Sequence, residues 1–559
     1  MDPLTWTGDI GTVLNPIFMV VVGLFAVMLV VQFVLSFTAP PPSITVNPDG
    51  SAMSSGGTID MVGRVNTYLF LGILGMIAVY MFSGLVTPYG TGGIFGEIGA
   101  RLLPVWIALI ATFALSITFK RKLGLYGKLF DSMIGMIGFA IVMFWVFVAL
   151  FVAADLIVTH DPLVQVSGMK NKVPGTAMSS AAPEGAYPHY LLGGDNLARD
   201  VFSRVMQGSQ IVLIIAPAAT LFAFMVGITL GLPAGYYGGK FDTVLSFVAN
   251  LVLAFPVILL FFLLVTPEIR AAGVDIPMKT ALVWMVFGLA AVAVGYYFPK
   301  LFPDDSASGL RHFRAVTPYV GAAGALLAGL MIMVLIARFS QENPNDIPFL
   351  ETSYLYKVPT ILASILFIFP LVFLVLLWNS RFFTQPSKNY LYIGLTLLIG
   401  GYLYLALAWD ADPFGMISID QNVLIVFVAV VFVNSPTVFR IVRGLVLDIK
   451  TRDYVAAGQT RGEGAWYIML WEILPNARGP LIVDFCLRIG YTTILIGTLG
   501  FFGLGLESES PDWGTTINAG RRLLGIYPHP AIAPALSLMT LVLGLNLLAD
   551  GLREESLKD

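Results

Sequence analysis

The sequence predicts an all-α, polytopic integral membrane protein, and two properties of its composition point to that class. Of its 559 residues, 57% are hydrophobic and only 12% are charged. Soluble globular domains are about 45–50% apolar and about 25% charged. A third observation is the arrangement of the apolar residues, most of which stand in runs of about 17–25, the length with which a helix crosses the hydrocarbon core.

About thirteen such runs follow one another along the chain. The first four lie at 13–37, 67–86, 104–119 and 133–158, the third being short. The next two, at 211–236 and 241–265, are separated only by a glycine-rich turn and predict a tight transmembrane hairpin. Four further runs lie at 281–298, 316–337, 359–378 and 390–409. The last three lie at 422–438, 480–506 and 531–549.

Basic residues orient these helices. Lys120, Arg121 and Lys122 lie between the third and fourth runs, so the positive-inside rule places that loop in the cytoplasm. Alternation through the membrane then puts the long loop at 159–208 and the amino terminus outside and the carboxyl terminus inside. The predicted outer loop at 410–420 agrees, because it has three aspartates and no basic residue.

Residues 440–475, named here the polar segment, form a long polar and helix-competent stretch between two apolar runs. Alternation places the polar segment in the cytoplasm. A helix is predicted over 453–470, divided into two short helices by Gly462 and ended around Pro475. Its aromatic and charged composition fits two hypotheses, a contact surface for another protein or an amphipathic helix in the headgroup layer.

Charges within the apolar runs are few. Asp484 and Arg488 stand four apart, on one face of a predicted helix, where they can pair. Burying a charge in the membrane costs about 2.5–3.5 kcal/mol, so the pair invites a functional explanation. Three alternatives remain open: the pair lines the inner end of a translocation path, it stabilises a subunit interface, or it is neutralised near the cytoplasmic end.

Several function classes are excluded. The net charge of −3 gives no basic field for nucleic acid. The four histidines lack metal-ligand spacing, so we expect no metal site. The glycine-rich turn at 235–240 lacks the phosphate-binding order because Phe241 follows Lys240. We therefore expect no catalytic residues, no bound cofactor and no ATP binding by this chain alone.

Two groups of short motifs lie before and after the middle of the chain. The first group is LGGDNLARD at 192–200, GLPAGYYGG at 231–239 and AFP at 254–256. The second group is RIVRG at 440–444, LPN at 474–476, FFGLG at 501–505, PDWG at 511–514 and LNLLADGLR at 545–553. This order resembles the permease subunits of binding-protein-dependent ABC importers of the dipeptide/oligopeptide (peptide/nickel) family, of the type with a carboxyl-terminal Asp-Gly-Leu-Arg tail.

The resemblance implies a domain organisation. Residues 131–265 and 422–559 correspond to the two halves of a type I ABC importer core of about six helices. Residues 1–130 add about three helices before it, and residues 266–421 insert about four helices into an outer loop. An even number of inserted helices leaves the sidedness of the polar segment unchanged.

In this family an ATPase subunit grips the segment that corresponds to the polar segment. The residues to which the resemblance assigns that contact are Asp453, Tyr454, Val455, Ala457, Arg461, Gly462, Trp466, Leu474 and Pro475. The sequence departs from the family pattern at Ala456, where a glutamate is expected. Either Asp453, one helical turn earlier, replaces that carboxylate or packing by Tyr454 and Trp466 carries the contact.

The implied function is that of a permease subunit in the cytoplasmic membrane, importing short peptides at the expense of ATP. The implied partners are a second related permease, two ATPase subunits that hold ATP and Mg, an extracytoplasmic substrate-binding protein and the lipid bilayer, with no nucleic acid. Oligosaccharides or metal chelates are alternative substrates by the same mechanism. An ion-coupled secondary transporter and a non-transporting membrane scaffold are alternatives of other classes.

Overall fold

A computed structural model describes residues 2–38, 44–46, 52–54, 58–122, 124–180, 186–254, 256, 421–504 and 509–556. The four spans predicted between 281 and 409 lie outside the described residues, as does the predicted insertion except for its last residue.

Helices dominate the described residues, which agrees with the predicted all-α class. Before the gap they are α1 (Gly11–Thr38), α2 (Thr58–Val86), α3 (Gly93–Arg101), α4 (Leu103–Phe119), α5 (Gly124–Lys128), α6 (Met133–Ala153), α7 (Val201–Tyr237) and α8 (Gly239–Ala254). After it they are α9 (Gln421–Ile449), α10 (Asp453–Thr460), α11 (Ala465–Tyr467), α12 (Leu474–Phe501), α13 (Trp513–Arg521) and α14 (His529–Ser556).

Short irregular elements supplement these helices. Two 3₁₀ turns, Lys120–Lys122 and Leu129–Asp131, flank α5, and a π-helical turn, Ile468–Ile473, precedes α12. Two antiparallel pairs of strands also occur in the described residues. They are β1 (Ile44–Val46) with β2 (Ala52–Ser54), and β3 (Thr176–Ala177) with β4 (His189–Tyr190).

Eight helical stretches among the described residues are long and apolar enough to cross a membrane. They are Gly11–Thr38, Ile59–Val86, Leu103–Lys122, Met133–Ala153, Val201–Tyr237, Val430–Ile449, Ala465–Phe501 and His529–Glu554. Each overlaps a predicted apolar run at least in part, and together they confirm a polytopic membrane protein. The run predicted at 241–265 corresponds to α8, whose described part has 16 residues.

Two predicted helix ends need correction. The fourth run was predicted to continue to residue 158, but α6 ends at Ala153 and Asp155 adopts a left-handed conformation with φ 54°. The run predicted to end at residue 506 ends at Phe501, followed by Gly503 with φ 72°. Left-handed residues terminate helices by turning the chain back onto the last carbonyls, a feature that apolar run length does not report.

The described chain separates into two compact units. The first comprises Met1–Ala114, Phe144–Gln210 and Ala519–Ala535, and the second comprises Leu115–Met143, Ile211–Asn518 and Leu536–Asp559. The first unit therefore joins most of the amino-terminal addition to the segment that leads into α7. The second unit contains the polar segment and most of the motifs that carry the resemblance.

Within the first unit, hydrogen bonds to backbone carbonyls join the predicted amino-terminal addition to the segment after α6. The Leu4 amide donates to the Gly175 carbonyl at 2.8 Å. Arg101, at the end of α3, donates from Nε to the Ile157 carbonyl at 3.1 Å. These contacts join stretches that are distant in sequence, which agrees with their belonging to one compact unit.

A buried carboxylate connects the same two stretches. Glu97 on α3 is 5% exposed, and its Oε1 accepts from the Gly90 amide at 2.7 Å. Its Oε2 accepts from the Tyr187 hydroxyl at 3.0 Å. Burial raises the pKa of Tyr187 above its ordinary value, and the Glu97 carboxylate raises it further, so this hydroxyl stays protonated as a donor.

Within the second unit, α7 and α9 approach closely along a row of glycines. A Cβ added at Gly231 would lie 2.8 Å from the Cβ of Val442, and one added at Gly235 would lie 2.7 Å from the Cβ of Val446. A further pair, Gly227 with Val438, has the same arrangement one turn earlier. Small residues four apart allow such contact between helix backbones in a membrane.

We expect Gly231→Leu to destabilise the second unit. The added side chain has no room against Val442, and overpacking of this kind costs about 1–3 kcal/mol. The measurement is the melting temperature of the purified protein in detergent. The matched control is Gly444→Leu on α9, where an added Cβ meets nothing within 4 Å. Equal melting temperatures for the two variants would contradict the close packing.

We also expect Glu97→Ala to loosen the first unit. It leaves the half-buried Tyr187 hydroxyl and Gly90 amide without their acceptor, and each loss should cost less than the about 1–3 kcal/mol of a fully buried unsatisfied group. The measurement is the rate of trypsin cleavage after the exposed Lys170 and Lys172. The exposed Asp60 gives a control, Asp60→Ala, whose cleavage rate should match that of the wild type.

Candidate functional site

The polar segment begins within α9 and ends in the first turn of α12. Three residues separate Ile449, the last of α9, from α10, and Gly462 then turns the chain toward α11. Gly462 has φ +80°, and nothing lies within 4 Å of an added Cβ there. Backbone conformation and not space therefore requires glycine at this turn. The predicted division at Gly462 is confirmed, and the first of the two helices, α10, is short as predicted, but the second is not.

The prediction that Pro475 ends the second helix is wrong. Residues 465–501 form one continuous helical stretch, with Pro475 in the first turn of α12. In an α-helix the proline ring clashes with the carbonyl four residues earlier, which is that of Trp471. Trp471 lies in the π-helical turn, whose wider spacing accommodates the ring. The polar segment is thus directly continuous with a membrane-crossing helix.

One side of the polar segment is buried. Val455 on α10 and Met469 and Ile473 in the π-helical turn are each 0% exposed. They belong to an apolar cluster that includes residues of two further helices, with Phe224 and Leu232 from α7 and Val442 and Val446 from α9 among them. Val455, one of the predicted contact residues, therefore holds the segment in place and does not form part of its surface.

The opposite side exposes aromatic residues. Tyr454 is 39% exposed and Trp466 is 44% exposed, as expected of contact residues. Tyr467 and Trp471 are 40% and 37% exposed and extend this aromatic surface. Both were missed by sequence reasoning, although their spacing of four residues puts them on one helix face and was a usable signal. The remaining predicted residues are exposed except Leu474, which is half-buried; they are Asp453, Ala457, Arg461, Gly462 and Pro475.

Ion pairs stabilise both ends of α10, including the turn at Gly462. Arg461 donates from Nη2 to Oε1 of Glu472 at 2.9 Å, which ties the end of α10 to the π-helical turn. At the other end of α10, Arg452 donates to Asp448 at 3.1 Å, and this hydrogen bond raises the pKa of Arg452 above its ordinary value. Both guanidinium groups are thus engaged within the segment itself.

Asp453, in contrast to these paired side chains, is available for contact with another protein. Among the described residues it has no hydrogen-bond or ion-pair partner, and it lies exposed at the start of α10. Ala456, where the resemblance expects a glutamate, is also exposed. Asp453 is therefore an available carboxylate one helical turn before that position.

The predicted pair on α12 is present. Arg488 donates from Nε to Oδ2 of Asp484 at 2.6 Å, and its Nη1 donates to the Thr437 hydroxyl on α9 at 2.6 Å. About one turn beyond Arg488 on α12, the Thr492 hydroxyl lies 3.2 Å from the Thr220 hydroxyl on α7. These hydrogen bonds neutralise the buried charge and join three helices of the second unit.

Comparison with known proteins shows that part of the chain is similar to transport proteins. Residues 352–554 match the family described as binding-protein-dependent transport system inner membrane component. The chain is 39% identical over 129 residues to the glutathione transport system permease protein GsiD of Pectobacterium atrosepticum, covering 23% of this chain and 43% of that protein. The proteins of the same name from Escherichia coli O1:K1 and Shigella flexneri serotype 5b are 37% identical over the same shares.

The chain thus spans less than half the length of the curated relatives that it matches. Those relatives are permease subunits and not enzymes. The family match includes the polar segment, the Asp484–Arg488 pair and the Asp-Gly-Leu-Arg tail. Over residues 352–554, which include these features, the chain is similar to the family of binding-protein-dependent transport system inner membrane components, and its relatives with 37–39% identity are named permease proteins of a transport system.

Proposed function

We propose that this chain is the permease subunit of an ATP-driven importer and that the part of the polar segment at 453–475, which follows α9, is the site at which an ATPase subunit docks. The observation that carries the proposal is the two-sided packing of the segment. Its inner side is buried against α7 and α9, and its outer side exposes Tyr454, Trp466 and Trp471. Large aromatic residues on an otherwise polar surface are typical of protein interfaces.

The geometry supports a coupling role. The polar segment is continuous with α12 at one end and joined to α9 by three residues at the other. A displacement of the segment therefore moves two long apolar helices, because helices transmit rigid-body motion. ATP and Mg are bound by the ATPase subunits and not by this chain. A second permease completes the path, and an extracytoplasmic binding protein delivers the substrate.

The substrate class we propose is short peptides. The relatives with 37–39% identity are named as transporters of glutathione, which is a tripeptide. Oligosaccharides and metal chelates are the alternatives within the same mechanism. The predicted sidedness, with the polar segment and the carboxyl terminus in the cytoplasm, belongs to the proposal because an ATPase subunit needs cytoplasmic ATP.

Purification of the tagged full chain from native membranes tests the docking role. We expect ATPase subunits and a second permease to accompany it, with vanadate-sensitive ATP hydrolysis. Trp466→Ala and Trp471→Ala should each weaken retention of the ATPase, since truncating a central interface aromatic costs about 2 kcal/mol or more. Trp6→Ala, at a 48% exposed tryptophan of the first unit, is the matched control.

Absence of any ATPase and of ATP hydrolysis from the purified wild-type complex would contradict the proposal. Uptake driven by an ion gradient without ATP would favour a secondary transporter. Uptake of maltotriose or a nickel–histidine chelate in place of glutathione would replace peptides as the substrate class and leave the mechanism standing.

The turn at Gly462 gives a second test. Gly462→Ala forces a side chain into a left-handed conformation at a cost of about 1–2 kcal/mol, which should displace α11 from α10. We expect reduced ATP-dependent glutathione uptake in proteoliposomes. Gly462→Asn is the control, because asparagine tolerates this conformation and should retain more uptake. The proposed role of the turn fails if the alanine variant transports as well as the wild type.

A further inference from the structure

Three polar contacts tie the end of α9 to the hairpin formed by α7 and α8. Arg443 donates from Nη2 to Oδ2 of Asp242 at 2.6 Å, and its Nε donates to the other carboxylate oxygen. Arg440 donates to Asn250 farther along α8. Lys450 donates to the Gly235 carbonyl on α7 at 2.9 Å. None of these contacts was predicted from the sequence.

The contact between Arg443 and Asp242 fixes the relative orientation of the two side chains as well as the distance between them. Two parallel hydrogen bonds from a planar guanidinium to a carboxylate hold the two groups in one plane. Asp242 is held in turn by the hydroxyl of Ser246 at 3.2 Å. The side chains of Arg443 and Asp242 are 33% and 15% exposed, so the ion pair lies at the edge of the packed helices.

Lys450 donates a hydrogen bond to a helix-end carbonyl, that of Gly235. Gly235 lies in the last turn of α7, where carbonyl oxygens have no partner within the helix. The Lys450 ammonium supplies the missing hydrogen bond, and it also places a positive charge at a helix carboxyl end, where the helix dipole favours it. Lys450 directly follows the last residue of α9 and lies three residues before α10.

Apolar packing brings these groups together. The glycine row of α7 lies against the valines of α9, and Ala249 of α8 packs with Ala234 and Phe439. The hairpin and α9 thus share a close apolar contact, and directional polar contacts join the hairpin to the first part of the polar segment. If α9 moved with the polar segment and the hairpin did not, these apolar and polar contacts would break.

We propose that Asp242, Arg443 and Lys450 form a joint that makes the α7–α8 hairpin move together with the polar segment. This inference rests on the proposed function, because it assigns the route by which docking at the polar segment reaches further membrane helices. The three residues act as positioning residues and contact neither substrate nor ATP. Partly exposed ion pairs stabilise a fold only weakly, so the contribution of the Asp242–Arg443 pair is directional and not one of stability.

The test uses the full complex reconstituted in proteoliposomes, with glutathione or trialanine as the transported probe. Asp242→Asn and Arg443→Gln should retain ATPase subunits and ATP hydrolysis. The number of probe molecules taken up per ATP hydrolysed should fall by about fivefold or more, the lower end of typical coupling between sites. The double variant Asp242→Arg with Arg443→Asp restores the pair with reversed polarity and should recover most of that ratio.

A neighbouring ion pair provides the matched control. Asp448 and Arg452 form an exposed ion pair four residues apart that does not involve the hairpin. Asp448→Asn and Arg452→Gln should leave the ratio of uptake to hydrolysis at the wild-type value. A fall of similar size in these controls would overturn the assignment, because any charge change near the polar segment would then suffice.

The outcomes separate this inference from the proposed function. A wild-type complex that hydrolyses ATP and transports, with Asp242→Asn and Arg443→Gln transporting at the wild-type ratio, overturns the joint alone. A wild-type complex without ATPase subunits overturns the proposed function and the joint with it. If the single variants fail to assemble, the double variant decides: recovery of assembly with coupling supports the joint, and recovery of assembly without coupling overturns it.

Discussion

Close contact between the backbones of α7 and α9 is the interaction on which the position of the polar segment depends. Where glycines lie four apart on α7, valines of α9 occupy the space that side chains would fill. The same valines continue the apolar cluster that buries Val455, Met469 and Ile473. Apolar packing therefore extends without interruption from the membrane-crossing helices to the inner side of the polar segment.

The pairing of polar groups in the second unit is explained by the same apolar surroundings. A charge or donor among apolar helices is costly without a partner, and Asp484, Arg488 and Thr437 satisfy one another across α9 and α12. At the edge of the packed helices, Arg443 meets Asp242 and Lys450 meets a helix-end carbonyl. Each of these hydrogen bonds fixes the position of one helix along its neighbour, which apolar contacts between glycine and valine do not.

The first unit joins the amino-terminal helices to a stretch of the chain that lies far away in sequence. Glu97 of α3 accepts hydrogen bonds from Gly90 beside it and from Tyr187, ninety residues later. The amino-terminal helices thus contribute buried polar contacts to the segment that leads into α7, and they are not only a lipid-facing attachment. This arrangement accounts for the joining of residues from both stretches in one compact unit.

The sequence by itself determined the class of the protein, the membrane-crossing runs among the described residues, the division at Gly462 and the pairing of Asp484 with Arg488. All of these depend on residue type and short spacing, because run length and helical periodicity are local properties. The tertiary structure alone decided the rest. The burial of Val455 and the contact of Asp242 with Arg443 each depend on residues brought together by folding, up to about 200 positions apart. The π-helical turn that carries the helix past Pro475 is a local change of helical spacing, which apolar run length does not report. Apolar patterning reports which residues avoid water, but not which helix supplies the opposing surface.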